Sequence, residues 1–260
     1  MAKQDTSSNL DKVLTILEEI SDHPAGISLA ELSKRTLIAK TTIFRILESL
    51  KAREYVTMTP ETERYTLDIK SLELGIKGLM NANLVEIAIP YLKKFSSTTS
   101  ETSFLGVYNQ GEVVYLYKSE GALSIQTDAQ LGSRKPAYCT GVGKALLAFQ
   151  PEEEIERVLS MPLAKVTRGT ITDKDKLREV LRQIREQGYA LDDEENEEGL
   201  TCVAMPVFNY TGAVVGSISL SGPTPRIKSK MGWAGDLLRE YCHAISRRLG
   251  YIGAPVDSNK

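Results

Sequence analysis

Thr41, Thr42 and Arg45 are residue types that read the edges of base pairs. A threonine hydroxyl bonds a base edge or a phosphate, its methyl meets a thymine methyl, and an arginine takes a guanine edge or a phosphate. On a helix, positions spaced this way point together. Lys40 and Lys51 flank them as phosphate anchors, which position a protein on a duplex without specifying sequence. Phe44 shares the outward face and reads either as a further contact or as a partly covered packing residue. Arg64 is the basic residue of a following hairpin, and Glu61 and Glu63 beside it weigh against a strong contact there. Residues 34–53 carry Lys34, Arg35, Lys40, Arg45, Lys51 and Arg53 against Glu48 alone. The basic charge is therefore local, in a chain whose net charge is −2.

A second group suits a small anion. Thr140-Gly141-Val142-Gly143 opens an apolar helical run. Free N–H groups and the positive dipole end at such a start favour a carboxylate, and glycine lets a ligand approach the backbone. Ser219 and Ser221 alternate, so both hydroxyls face one side of a strand. Ile125, Leu131 and Leu146 are candidate apolar walls, and Asp192 either takes a ligand hydroxyl or caps a strand end. Each has a structural alternative. The glycines serve a turn or helix packing, the serines bond backbone, and Cys202 is a small buried hydrophobe. The acidic block of Asp192, Asp193, Glu194, Glu195, Glu197 and Glu198 reads mostly as a solvated or salt-bridged loop.

Enzymatic readings fare poorly. Gly143-Lys144 resembles the end of a phosphate loop, but that motif needs Gly at 138 and Ser or Thr at 145, where Tyr138 and Ala145 stand. Cys202 is a nucleophile only with a base beside it. The two histidines, His23 and His243, have no sequence support as partners. Zinc catalysis is equally short of ligands. No catalytic residue, metal or cofactor is expected. The three cysteines are too scattered for a disulfide framework, which suits a reducing cytoplasm. The N-terminus is polar, without the apolar core of a signal peptide, and no apolar run approaches a membrane span.

The elements that must position these groups follow from periodicity. A first helix spans 9–21, and His23-Pro24-Ala25-Gly26 ends it. Ser28 and Glu31 form a capping box opening a short second helix to about 35. A third helix covers 40–53, with Ile43, Ile46, Leu47 and Leu50 buried, and a hairpin at 55–67 makes a wing. A linking helix at 69–80 has an apolar stripe that packs against another subunit or its own domain. Beyond it come a helix at 84–98, strands at 102–108, 113–119 and 123–129, and helices at 141–149, 152–160 and 174–187. Strands at 202–208 and 213–221 and a helix at 229–249 complete the chain. This order makes an α+β domain on an antiparallel sheet. The domain boundaries are 1–68 for DNA binding, 69–82 for linking and dimerisation, and 83–252 for effector binding.

Over nearly its whole length the chain resembles the IclR family of bacterial transcriptional regulators. The segments AELSKRTLIAKTTIFRILESLKAREYV, RYTLDIKSLELG and YCTGVGKALLAF carry the resemblance, with Thr170-Ile171-Thr172. The most specific is REQGYALDDEENEEGLTCVAMPVFNYTGAVVGSISLSGP, an acidic run followed by Gly-x-x-Cys, Pro-x-Phe and Ser-x-Ser. The resemblance implies a winged helix-turn-helix, a dimerising linker helix and a profilin- or GAF-like effector domain. It also implies dimers or dimers of dimers on palindromic double-stranded operators. The implied effectors are small organic acids such as keto acids, sugar acids or aromatic carboxylates. The family's ligand positions fall on Gly141, Val142, Asp192, Cys202, Ser219 and Ser221 of this sequence. Such a regulator of a catabolic operon is more readily a repressor than an activator. The alternatives are a DNA-binding protein without an effector and a cysteine-dependent enzyme.

Overall fold

The computed structural model describes residues 9–80, 83–123 and 130–253. In the helix at Ile69–Met80 the side chains of residues 75, 76 and 78–80 lie outside that description. The chain divides into two compact units, residues 1–81 and 82–260. Among the described residues no helix is long and apolar enough to cross a membrane.

In the first unit the elements run α1 (Asn9–Ser21), β1 (Ile27–Ser28), α2 (Leu29–Thr36), α3 (Lys40–Lys51), β2 (Val56–Thr59), β3 (Arg64–Leu67) and α4 (Ile69–Met80). Ser28 caps α2 as its sequence requires. Its Oγ accepts from the Glu31 N–H, and its own N–H donates to Glu31 Oε2 at 2.9 Å. Leu37, in the left-handed region at φ 59°, turns the chain from α2 into α3. Ile16, Ile20, Leu32, Ile43, Leu47, Val56 and Tyr65 close one core beneath the three helices. The wing is three-stranded, in the order β1-β3-β2, because Ile27 and Ser28 pair with Tyr65 and Arg64. A two-residue strand has no period to read, so sequence reasoning missed β1. Gly26 has φ +86°, and a Cβ there would meet Arg64 Cβ at 2.8 Å. Helix α4 is fastened to the turn before β2 by Lys70 N–H to Glu54 O and Ser71 Oγ to Tyr55 O.

The second unit runs α5 (Leu84–Thr99), β4 (Thr102–Asn109), β5 (Glu112–Ser119), β6 (Arg134–Pro136), a 3-10 turn (Ala137–Cys139), α6 (Gly141–Leu147), α7 (Glu152–Ser160), α8 (Lys174–Gln187), β7 (Ala190–Asp193), β8 (Leu200–Phe208), β9 (Val214–Pro223) and α9 (Thr224–Arg248). Its strands form one antiparallel six-stranded sheet in the order β6-β5-β4-β9-β8-β7. Strand alternation sorts the two faces. Phe104, Ala204 and Ser219 stand in one row and turn toward α6, α7 and α8. Leu105, Val203, Met205, Ile218 and Leu220 turn the other way, against α5 and α9. The result is an α+β architecture with helices on both faces.

The predicted strand at 123–129 lies outside the described residues except for Leu123, which is in a turn. Two departures from the sequence reading have plain causes. Edge strands β6 and β7 were missed because both are short and carry charge, as edge strands commonly do. Helix α9 starts at Thr224 rather than 229. Pro225 sits in its first turn, where a missing N–H costs nothing, so the proline opens the helix instead of delaying it.

Candidate nucleic-acid interface and effector cleft

On α3 the buried stripe of Ile43, Leu47 and Leu50 leaves the opposite face outward. Lys40, Thr41 and Arg45 are exposed, Thr42 is half-buried, and Phe44 is 49% exposed. Lys40, Arg45 and Arg53 form no ion pair with any of the described carboxylates, so their charge is uncommitted. Ala39 caps α3 without a side-chain hydrogen bond, leaving its first N–H groups open to an anion. Two proposed contacts are engaged elsewhere. Lys51 Nζ lies 3.1 Å from Glu48 Oε1. Arg64 does not reach out from the wing: Nη1 donates to the Gly26 carbonyl at 2.7 Å and Nη2 pairs with Glu31 at 3.3 Å. It ties β3 to the capping box of α2. Of the seven residues proposed from sequence, Lys40, Thr41, Thr42, Phe44 and Arg45 share one free face.

In the second unit a cleft opens at the start of α6, between that helix, the sheet and the chain after β7. Gly141, Asp192, Cys202, Ser219 and Ser221 all line it, and its empty volume is about 510 Å³ including the space open to solvent. Five of the six proposed effector residues are thus brought together. Val142 is the exception. Its side chain is 1% exposed and packs in the core below, although its N–H faces the Cys202 sulfur. Sequence reasoning missed Phe104, Tyr115, Lys135 and Thr201, which also line the cleft. Periodicity marks Phe104 and Tyr115 only as core, and only the sheet register shows which face they occupy.

The start of α6 is less open than its sequence suggests. Thr140 Oγ1 accepts the Gly143 N–H at 3.1 Å, and Thr140 O accepts the Lys144 N–H at 2.9 Å. With the Val142 N–H turned to sulfur, Gly141 alone has an uncommitted first-turn donor. Both glycines also have a packing reason. A Cβ on Gly141 would lie 3.0 Å from Cys202 O and Sγ, and one on Gly143 would lie 2.4 Å from the Ala137 backbone.

Ser219 is fully buried, and its Oγ has no oxygen or nitrogen partner among the described residues. Its polar neighbour is the Cys202 thiol. Native structures seldom leave such a group unpaired. Asp192 Oδ1 accepts the N–H groups of Glu195 at 2.8 Å and Asn196 at 3.3 Å, so it caps the turn after β7. Burial nevertheless raises its carboxyl to about 7. Beneath it lies an ion pair that sequence reasoning did not see. Lys144, 1% exposed, donates to Leu191 O at 2.6 Å and pairs with Glu195 Oε1. Glu195 is therefore no solvated loop residue. Its backbone carbonyl accepts from Thr170 Oγ1 at 2.6 Å, and its Oε2 is buried without a partner among the described residues.

Burial pushes the thiols of Cys139, Cys202 and Cys242 up to about 12. A nucleophilic cysteine needs the thiolate, and neither histidine lines the cleft. The chemistry this arrangement supports is reversible binding.

The comparisons agree with both halves of this geometry. The IclR helix-turn-helix domain matches residues 9–60, and the bacterial transcriptional regulator IclR C-terminal domain matches residues 76–247. The chain is similar to the HTH-type transcriptional regulator KdgR of Escherichia coli (strain K12), 35% identical over 253 residues, covering 96% of each chain. It is similar to the DNA-binding transcriptional repressor YiaJ of the same organism, 34% identical over 251 residues, covering 94% of this chain and 89% of that one. Its fold is similar to that of Pseudomonas aeruginosa HmgR, with a TM-score of 0.85 at 23% identity, covering 94% of this chain and 99% of that one. The two family domains and the full-length relatives place this chain in the IclR family of bacterial DNA-binding transcriptional regulators.

Proposed function

We propose that the chain represses a catabolic operon and that a small organic acid bound in the second unit modulates its affinity for a palindromic operator. The observation that carries the effector reading is the fully buried Ser219 hydroxyl, unpartnered by oxygen or nitrogen, in the wall of the Gly141–Asp192–Cys202 cleft. On DNA, α3 enters the major groove. Thr41, Thr42 and Arg45 meet base edges, Phe44 meets thymine methyls, and Lys40 holds a phosphate. The working form is a homodimer or dimer of dimers in the cytoplasm. Ile69, Leu72 and Leu74 of α4 are each more than half exposed, and Leu10 and Leu14 of α1 add to this apolar surface. That surface supports pairing of two copies through these helices. Similarity to the transcriptional repressor YiaJ supports repression.

Effector binding favours one arrangement of the dimer, and operator affinity follows by the same coupling. About 1–3 kcal/mol corresponds to a roughly 5- to 150-fold change. The test is selection of bound sites from random duplex DNA by the full chain and by a Thr42→Ala/Arg45→Ala variant, with and without a panel of organic acids. The expected outcome is a palindromic motif enriched by the wild type, lost in the folded variant, and weakened when an acid is bound. Wild-type enrichment of no motif under any of these conditions refutes the reading.

A further inference from the structure

The cleft contains more negative than positive groups, which poses a problem for an acid. Asp192 and Glu197 both line it. Lys144 is close by, but its ammonium is consumed by Leu191 O and Glu195. The first turn of α6 offers one uncommitted N–H rather than several. An anion needs another source of positive charge.

One lining residue supplies it. Lys135 stands on edge strand β6, opposite Val113 of β5. Cross-strand partners share a face, and Val113 is fully buried on the α6 side, in the same core cluster as Tyr115. Lys135 therefore leaves the sheet on the cleft side, and it is half-buried there. Its ammonium has no hydrogen bond or ion pair with any described residue. Neighbouring lysines differ: Lys118 pairs with Glu120 and stands over the Phe104 ring. Two further groups are uncommitted. Asp192 uses Oδ1 for the backbone, leaving Oδ2, and Ser219 keeps its hydroxyl.

We propose that Lys135 is the residue that reads the effector's acid group, and that the effector is a hydroxycarboxylate whose hydroxyls meet Ser219 and Asp192. This rests on the effector reading above. The ligand carboxylate accepts from the Lys135 ammonium, and a ligand hydroxyl donates to Asp192 Oδ2. Ser219 finds in the ligand the oxygen partner that the chain withholds. A monocarboxylate without hydroxyls leaves Ser219 unsatisfied, and an uncharged polyol leaves Lys135 unpaired. Either omission sacrifices a buried or half-buried polar contact, the kind of loss that discriminates strongly between ligands.

The test uses the full chain, followed by thermal shift and by calorimetric titration. The probes are lactate, glycerate and gluconate, the carboxamides of the same three, and propionate and hexanoate as acids lacking hydroxyls. The proteins are wild type, Lys135→Gln, Lys135→Arg and Ser219→Ala. At least one hydroxycarboxylate is expected to bind the wild type at least tenfold more tightly than its amide and than either hydroxyl-free acid. Lys135→Gln should weaken that binding about tenfold or more, the scale of one lost charge-assisted hydrogen bond. Its unliganded melting temperature should be unchanged, and Lys135→Arg should restore most of the affinity. Ser219→Ala should weaken hydroxycarboxylates while sparing the hydroxyl-free acids. An acid bound equally by wild type and Lys135→Gln overturns the role of Lys135 and leaves the effector reading standing. Equal binding of acid and amide, a preference for hydroxyl-free acids, or no binding of any hydroxycarboxylate overturns the proposed ligand class. Operator affinity that no compound changes overturns the effector reading as well.

Discussion

Replacing Lys144 by Met tests whether the ion pair under the cleft holds the second unit together. Lys144 is 1% exposed, and the Glu195 side chain is 8% exposed. The substitution keeps most of the aliphatic volume and removes the ammonium. It leaves Leu191 O without its donor and Glu195 without its counter-charge, beside an already buried Asp192. Removing one partner of a buried pair costs about 3–5 kcal/mol, because the remaining charge is neither solvated nor compensated. For a unit of this size each kcal/mol moves the melting temperature by ~2–4 °C, so Lys144→Met should melt roughly 6–20 °C lower.

The loss should depend on pH. Burial already holds the Glu195 carboxyl above its ordinary range, and losing the lysine raises it further. A carboxyl raised in the folded state contributes stability below its unfolded value and loses it as pH climbs through the folded one. The deficit of Lys144→Met should therefore be smaller at pH 5 than at pH 8. Lys144→Met/Glu195→Gln, which buries no unpaired charge from this pair, should recover much of the loss. Thermal and urea denaturation followed by circular dichroism read all three proteins. A Lys144→Met variant within about 1 kcal/mol of wild type at pH 8, the scale of an exposed pair, refutes the reasoning.

Two further predictions concern single groups. Ser28→Ala removes the α2 cap and should destabilise the first unit by about 1 kcal/mol in urea denaturation. Its hydrogen bonds with Ser28 hold the Glu31 carboxyl down at about 2, so this support is present above the ordinary carboxylate range and should fade as pH falls toward 2. Asp192→Asn keeps an oxygen for the Glu195 N–H and removes a carboxyl that burial holds at about 7. Wild type loses stability as pH rises from about 4 to 7, and the variant does not, so the variant should gain about 1–3 kcal/mol on wild type between pH 5 and 8. Parallel stability curves for the two proteins would contradict the burial argument.

Much of the architecture was legible because local patterns agreed with the global fold. The apolar period located α1, α3 and α8, and Ser28 with Glu31 marked the start of α2. The alternation of Ser219 and Ser221 placed both hydroxyls on one face of β9 before any partner strand was known. The gaps cluster where a residue's role comes from a distant segment. Arg64 reads as a wing cation with Glu61 and Glu63 weighing against a strong contact, and the structure shows it held by Gly26 and Glu31, 38 and 33 residues away. Glu195 reads as one carboxylate of a solvated or salt-bridged loop, and only the structure names its partner, Lys144, 51 residues earlier. Gly141 reads as an anion cradle, and its neighbour across space, Cys202, shows that its missing Cβ also makes room for packing.

What the sequence by itself determined is the helices and the longer strands, the outward face of α3 and five residues of the cleft, since these follow from period, capping chemistry and motif order. What only the tertiary structure decided is which charges are spent and which are free. Lys135 and Lys144 are alike in sequence, nine residues apart. One is buried against Glu195 and the Leu191 carbonyl, and the other lines the cleft with no partner among the described residues. A charge's meaning depends on its dielectric surroundings and its partner, and both are set by strands and loops that chain order alone does not bring together.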